Sequence, residues 1–437
     1  KYIERTQNVM QRSTPKNDLL IYWPYFDVAA SEGKIFNHLG VNKDAGWFNS
    51  HPISELSEKL TAAGFTFDYI SDNQLQNVEL VNGELVTEGN SKYGAIVVPQ
   101  ANYIPVETMQ KLVDLKTSEG KIVFDKNLPE SVPGMFELDK REQKLAELKK
   151  QIEKNWIGDA AVVLKNKGIN GESDLSEKGF HFTKSKWNEQ DCYLVFNTNS
   201  EMKDEWIDLN SETTSFIFMN PMTGEITKAN SKGNKVRIQL APEEIVFVIC
   251  SKGKATPHKY FEEDLKTNEI DGRWKVEFVE GGPVYPGNID MNDLKSWTVS
   301  GDAETERYCG TVRYTLALNW KGSLSGYLDL GDVHDCARVI INDKEYGTML
   351  GPGYSVYIDN LQKGNNKIVV EVTNVAANRI RDLDIREVVW RKFYDINFVN
   401  FDYEPFDASG WEVRDAGLLG PVRFFEIDAS TSSATGK

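Results

Sequence analysis

The sequence predicts a multidomain chain in which a doubly wound α/β domain is followed by two all-β domains. Three observations predict it. Apolar runs alternate with amphipathic helices up to about residue 135, the hydrophobic period switches to two from about residue 160, and short alternating runs separated by turn signals fill residues 268–428. At 437 residues the chain is also too long for one ordinary domain. The expected divisions are an accessory α/β domain over 1–136, a connector helix over 137–158, a small β-sandwich domain over 159–255, a linker over 256–267, a larger sandwich over 268–428 and a loose tail over 429–437.

Each element has a local reason. Leu19-Leu20-Ile21-Tyr22-Trp23 is a short apolar run stopped by Pro24, which reads as a strand buried on both faces. Residues 55–63 form an amphipathic helix with Leu56 and Leu60 four apart, closed by Gly64. Residues 65–70 and 94–98 are further strands. Pro105 opens a helix with Met109, Leu112 and Val113 on one face and Gly120 at its end, and residues 121–124 complete the set. Alternating strands and helices imply a parallel sheet with crossovers, flavodoxin-like or amidotransferase-like in outline. Its first strand leads into Trp-Pro-Tyr-Phe-Asp, with no GxGxxG and no GxxxxGK[ST]. The first cysteine is Cys192, so no nucleophile of the amidotransferase kind is present either. The α/β domain reads as structural.

Leu138, Leu145, Leu148 and Ile152 give the Lys- and Glu-rich stretch 137–156 a single apolar stripe, as in a surface helix serving as a connector. Strand runs then follow at 192–196, 216–219, 236–240 and 246–250, with Asn220-Pro221-Met222-Thr223-Gly224 as a turn. In the last third, Val312, Tyr314, Leu316 and Leu318 alternate, as do Val339 and Ile341, and Ile368, Val370 and Val372. Asn342-Asp343 and Lys363-Gly364-Asn365 mark turns. This is the pattern of a sandwich or jelly roll.

Composition excludes several functions. A net charge of −16 argues against nucleic acid or an anionic membrane as partner, and no apolar run approaches the length that spans a bilayer. Residues 1–12 read as the end of a helix already under way, so a fragment or processed product is expected and the missing signal peptide says little about export. Cys192, Cys250, Cys309 and Cys336 are far apart with no CxxC, which favours buried free thiols, with one disulfide as the alternative. His38, His51, His181, His258 and His334 are scattered with no HExxH, and no GxSxG elbow exists. A transition-metal or serine-hydrolase site is therefore not indicated, and the histidines read as polar surface or loop residues.

The densest polar cluster, residues 373–384 (TNVAANRIRDLD), follows a strand and is expected to leave the sheet end as a loop. Asn378, Arg379, Arg381, Asp382 and Asp384 are suited to sugar hydroxyls, since Asp accepts two hydrogen bonds and Arg donates in a fixed fork. Spacing alone favours the other reading, an internal Arg–Asp network pinning a long loop. Asn378, Asp382 and Asp384 also supply the hard oxygens of a structural Ca²⁺, though at no EF-hand spacing; no other cofactor is expected. Trp297, Trp390, Tyr394, Tyr403 and Trp411 are candidate stacking platforms for pyranose rings, each with core or loop anchoring as its alternative.

These motifs carry a resemblance. Tyr2-Ile3-Glu4-Arg5, residues 64–70, Val81-Asn82-Gly83-Glu84-Leu85, residues 93–99 and the Asn220–Gly224 turn resemble the C-terminal half of the α-L-rhamnosidases of glycoside hydrolase family 106. Leu328-Asp329-Leu330-Gly331, Ile341-Asn342, Lys363-Gly364-Asn365-Asn366, Val372-Thr373-Asn374, Asn378-Arg379 and Ala416-Gly417-Leu418-Leu419-Gly420-Pro421-Val422 continue it, and more loosely resemble the sugar-binding sandwich of family 2. The resemblance implies a galactose-binding-like jelly roll at the C-terminus and substrate-side contacts from Asn378, Arg379 and Asp382. It departs where a Gly-Asp pair commonly follows Asn-Arg. Arg381-Asp382-Leu383-Asp384 stands there instead, leaving open which aspartate corresponds.

The family's catalytic carboxylates lie in a barrel, and no eightfold strand–helix alternation exists here, so no catalytic residue is named. The expectation is a non-catalytic, carbohydrate-binding accessory region of a secreted or periplasmic glycoside hydrolase, partnered by the catalytic barrel of its own parent protein and inactive alone. Its substrate-binding residues are Asn378, Arg379, Arg381, Asp382, Asp384 and Trp411. The alternatives are a free-standing carbohydrate-binding surface protein and an enzyme using a cleft between the α/β and β domains.

Overall fold

The computed structural model describes residues 1–30, 46–261, 266–351, 353–392 and 404–426. It divides into one unit of residues 1–240 and 245–258, and a second of residues 241–244 and 259–437. The tail at 429–437 lies outside the described residues.

In the first unit, strands β1 (Leu19–Tyr22), β2 (Phe67–Ile70), β3 (Ala95–Val98), β4 (Ile122–Asp125) and β5 (Ile157–Gly158) form a parallel sheet in the order β2-β1-β3-β4-β5. Successive side chains of a strand point to opposite faces, so an uninterrupted apolar run feeds two cores at once. Leu19, Ile21, Ala95, Val97 and Val123 pack with helices α1 (Pro52–Ala62) and Ala160–Asn166 on one face. Leu20, Tyr22, Ile96, Val98, Ile122 and Phe124 pack with α2 (Val106–Thr117) and α3 (Leu138–Lys149) on the other. The sheet is therefore doubly wound.

Three expectations need correction here. Helix α3 is more than a connector, because Leu145 and Leu148 lie in the same core as the sheet, and β5 follows it. The expected all-β stretch from about 160 begins with helices at Ala160–Asn166 and Ser173–Glu177. Asp159 caps the first of these by accepting the Val162 N–H at 3.1 Å. Helix α1 starts three residues before the expected 55, because His51 caps it through Nδ1 and Pro52 stands at its first position.

The carboxyl ends of β1 and β3 flank the point where the strand order reverses. Asp27, just beyond β1, there accepts the N–H groups of Asn102 (2.8 Å) and Tyr103 (2.6 Å), beyond β3. His51 Nε2 lies 3.5 Å from the same carboxylate.

The β part of this unit is an antiparallel sheet built around Phe180–Trp187, Gln190–Asn197, Ile245–Cys250 and Phe216–Met219, joined by a three-stranded sheet through Lys203–Asp208, Lys235–Leu240 and Ser231–Lys232. The N-terminal helix Tyr2–Met10 belongs with this part. Its Val9 packs with Cys192, Ile217 and Phe247, and Arg5 donates to the carbonyls of Pro221 and Met222 in the expected turn. All four cysteines are free; burial pushes the Cys192 thiol up to about 12 and that of Cys250 to about 11. Burial, then the charge of Arg237, holds the His258 imidazole down to about 4.

The α/β and β parts meet over a buried polar group. Glu172 (2% exposed) accepts the Tyr193 hydroxyl at 3.0 Å and the Asn210 N–H at 2.9 Å. Lys184, itself buried, lies 2.5 Å from Asp18 and 3.7 Å from Glu172. Burial, then the Glu172 charge, raises the Tyr193 hydroxyl pKa well above its usual range. A crossing of two glycines sets this up. Gly64 ends α1 with φ +81°, and a Cβ there would stand 2.3 Å from the Glu172 carbonyl carbon, while one on Gly171 would stand 2.5 Å from that of Gly64.

The second unit has two main antiparallel sheets sharing one core, besides a short two-stranded sheet of Asp332–His334 and Gly417–Gly420. One runs Ile289–Met291, Trp274–Gly282, Cys309–Trp320, Gly364–Thr373, Cys336–Ile341, Lys344–Met349; the other runs Thr267–Glu269, Arg423–Glu426, Gly326–Asp329, Ser355–Ile358. Val312, Tyr314, Leu316, Val339, Ile341, Ile368, Val370 and Val372 all point inward onto Leu328, Ile358 and Phe424. Asn342 and Asp343 both take positive φ, as a tight two-residue hairpin between twisted strands requires.

Gly64→Ala and Gly83→Ala separate conformation from crowding. Both glycines have φ near +80°, but nothing lies within 4 Å of a Cβ on Gly83. Gly83→Ala should cost about 1–2 kcal/mol in urea unfolding, the ordinary left-handed penalty. Gly64→Ala should cost clearly more, and equal costs would show that the backbone crossing is not tight.

Candidate functional site

The polar cluster expected in a loop is a helix, α4 (Ala377–Ile385). Ala, Arg and Leu favour it, and at helical phase the charges align: Arg379 and Arg386 lie three and four residues from Asp382 and both bond it, at 2.8 Å and 2.6 Å. The helix ends with Glu387 at φ 54°, its N–H on the Asp384 carbonyl and the Val388 N–H on that of Leu383.

The helix is fixed at its start by two buried asparagines. Asn374 accepts the Gly310 N–H at 2.9 Å and donates to the Tyr308 carbonyl at 3.0 Å. Asn378 (5% exposed) accepts the Arg414 N–H and donates to the Arg414 carbonyl, both at 2.8 Å. The amide of Asn378 is thus engaged by main chain and tethers the segment that carries Trp411.

The aspartates are equally engaged. Asp382 meets Arg379 and Arg386, with Arg307 at 3.5 Å. Burial pushes its carboxyl up, but the bonds and charge of Arg386 and the charge of Arg307 outweigh that and hold it below the usual range. Asp384 accepts the Trp390 indole N–H at 2.7 Å, Arg391 at 3.0 Å and the Ala408 N–H at 2.9 Å. It too is held low against its burial. Arg381 donates to the Trp411 carbonyl at 2.7 Å and lies 3.4 Å from Glu306.

This geometry limits the chemistry. An aspartate ringed by arginines stays ionised at neutral pH and has no proton to give, so neither Asp382 nor Asp384 is placed as a general acid. The oxygens expected for calcium have other partners here. Asn378 Oδ1 is taken by a main-chain N–H, and cationic guanidinium groups crowd both carboxylates. Among the described residues, no group of three His, Cys, Asp or Glu stands ready for a metal.

Beyond α4, a shallow cavity of about 270 Å³ is lined by Asp384, Glu387, Val388, Val389, Trp390, Arg391 and Asp407. Trp411 is 43% exposed and meets Phe406 edge-on at 5.6 Å, and Phe406 meets Trp390 edge-on at 6.1 Å. The Arg391 guanidinium lies 5.5 Å from the Trp390 and Phe406 rings. An aromatic surface with a polar rim is what a sugar face and its hydroxyls need. Trp297, by contrast, is wholly buried in the sandwich core. Tyr394 and Tyr403 lie outside the described residues. Sequence reasoning missed Arg307, Arg386 and Arg391; the i, i+4 relation of Asp382 to Arg386 was the available signal.

No family model matches the chain. A curated relative named "Putative beta-glucuronidase", from Formosa agariphila, is 22% identical over 258 residues, 54% of this chain and 22% of that protein. A solved rhamnosidase from Novosphingobium sp. PP1Y superposes with TM-score 0.67 at 19% identity, over 97% of this chain and 40% of the other. The chain shares the fold of the corresponding part of that rhamnosidase. A β-glucuronidase from Ruminococcus gnavus matches over 27% of this chain with TM-score 0.22, too low to carry an argument. The chain therefore spans under half the length of the rhamnosidase and about a fifth of the curated relative.

Asp382→Asn should destabilise the second unit by about 2–3 kcal/mol, the usual worth of hydrogen bonds to a charged group. The pH dependence has a definite sign. A carboxylate held below its unfolded value contributes fully above about pH 4 and loses that contribution as pH falls through the lowered value. Wild type should lose stability on acidification below pH 4, and Asp382→Asn should lose less, as read by thermal unfolding across pH.

Proposed function

We propose that the chain is the non-catalytic accessory and carbohydrate-binding region of a longer family 106-type glycoside hydrolase, secreted or periplasmic, acting on rhamnose-containing or related plant glycans. The observation that carries this reading is the likeness to a rhamnosidase over nearly all of this chain but only 40% of the other. The remaining length of a protein like that one is ample for a catalytic barrel. The weak homology to a protein named as a β-glucuronidase supports a carbohydrate-related role and adds glucuronides to the substrates worth testing.

In this reading the C-terminal sandwich, a galactose-binding-like jelly roll, offers glycan the surface around Trp411, Trp390 and the rim of the cavity. Asn378, Arg379, Arg381 and Asp382 build that surface from behind, because their polar atoms are committed to one another and to main chain. Asp384 stands at the boundary, lining the cavity while holding Trp390 and Arg391 in place. Held ionised, Asp382 and Asp384 do not supply the general acid that glycoside hydrolysis needs.

The purified chain should not hydrolyse a panel of aryl glycosides, α-L-rhamnoside and β-D-glucuronide included, above the buffer rate. Clear turnover would overturn the accessory reading and put an active site in these residues. For binding, Trp411→Ala should weaken retention on rhamnose-containing glycan about tenfold, the loss of one stacking contact. Unchanged retention would remove Trp411 from the contact surface.

A further inference from the structure

The cavity beyond α4 carries its charge unevenly. Among the residues that line it, Asp384, Glu387 and Asp407 are acidic and Arg391 is basic. Arg391 is already engaged, because its Nη2 lies 3.0 Å from both oxygens of Asp384. That pair cancels. Glu387 and Asp407, both exposed, are the charge that a ligand in the cavity meets. Asp407 is ionised at neutral pH, since the Ser409 N–H, 2.9 Å from its Oδ1, holds the carboxyl below the usual range.

The backbone sets where this charge stands. Glu387 takes φ 54°, fixed by the helix ending in which the Val388 N–H meets the Leu383 carbonyl at 2.9 Å. Residues 387–391 follow directly on the last turn of α4, so the cavity lies at the carboxyl end of a helix, where the dipole is negative. Dipole and side chains therefore share one sign.

The hydrogen bonding is equally one-sided. A carboxylate accepts and never donates. A sugar hydroxyl donates, so an uncharged sugar matches such a rim. A uronate or sulfate group brings acceptors and negative charge of its own, and both oppose the rim. The planar fork that pairs best with an acidic sugar is a guanidinium. Here that of Arg391 is turned to Asp384, and its Nε–H is buried without an acceptor.

We propose that Glu387 and Asp407 are specificity-determining residues, admitting an uncharged sugar to the cavity and rejecting glucuronate and other anionic sugars. The inference rests on the reading of this surface as a glycan contact and adds the class of sugar to it. Rejection by like charge gives specificity without demanding tighter binding of the right ligand. Between exposed groups it also depends on salt. The Debye length falls from about 30 Å at about 0.01 M salt to about 3 Å at about 1 M, so the discrimination is largest at low salt.

The test is binding of the full chain to two immobilised oligosaccharides of equal length, one a neutral rhamno-oligosaccharide and one carrying glucuronate, at both salt levels. Wild type should prefer the neutral sugar at low salt, and high salt should shrink that preference. Glu387→Gln/Asp407→Asn keeps shape and accepting oxygens while removing the charge. It should lower the low-salt preference about tenfold, the size of like-charge repulsion near a solvated surface. Glu58→Gln/Glu119→Gln removes as much charge from exposed positions of the first unit and should leave the preference as it is. Equal retention of both sugars by wild type, or a preference that Glu387→Gln/Asp407→Asn leaves intact, would overturn the charge exclusion while keeping the surface as a glycan contact. Retention of neither sugar at either salt level would overturn that reading of the surface, and the inference with it.

Discussion

A carboxylate removed from water must be paired, and Glu172 is where that requirement shapes the first unit. It sits between the α/β sheet and the β sheet, meeting Tyr193, Asn210 and Lys184, and Lys184 in turn meets Asp18 at the start of β1. Breaking one member of such a group leaves an uncompensated buried charge, which costs far more than the intact group contributes. The two parts therefore have one low-energy register. The Gly64–Gly171 crossing is the steric side of the same constraint, since any larger residue would push Glu172 away from its partners.

The same rule governs the second unit, where it decides what the polar cluster is for. Asn378, Arg379, Asp382 and Asp384 look like ligands for something outside the chain because they are polar, dense and close to a sheet end. Their hydrogen-bonding capacity is directed inward, onto Arg307, Arg386, Arg391 and the main chain of Arg414 and Ala408. What this framework holds toward solvent is aromatic: Trp411 directly, and Trp390 beside a shallow cavity. A rigid polar scaffold behind an aromatic surface suits recognition of a weakly binding, uncharged ligand, because little entropy remains to be lost when the ligand arrives.

Much of the fold was legible in the sequence because strand period and burial are local signals. The alternation at Val312–Leu316, Val339–Ile341 and Ile368–Val372 identified the inward face of the sandwich residue by residue. The apolar runs of β1 and β3 identified strands covered on both faces. Other features were hidden because they depend on partners distant in sequence. Nothing near Arg5 announces the carbonyls of Pro221 and Met222, and nothing near Glu172 announces Tyr193 and Asn210. At the candidate site the residue types were recognised but their geometry was not. Read as a loop, Asp382 had indeterminate neighbours; read as a helix, it selects Arg379 and Arg386 at once. Spacing favoured an internal Arg–Asp network, and the hydrogen bonds follow that reading.

The Asp27 contact bears on why a sheet of this strand order need not hold a nucleotide. Consecutive main-chain N–H groups aimed at one point form a nest for an anion, and here Asn102 and Tyr103 already direct theirs at Asp27. That anion is tethered to the nest by its own polypeptide, so its effective concentration is of the intramolecular kind, which a dilute solute does not match. A dissolved phosphate would have to displace a competitor that never diffuses away. The crossover of the sheet works as a latch between the loops after β1 and β3.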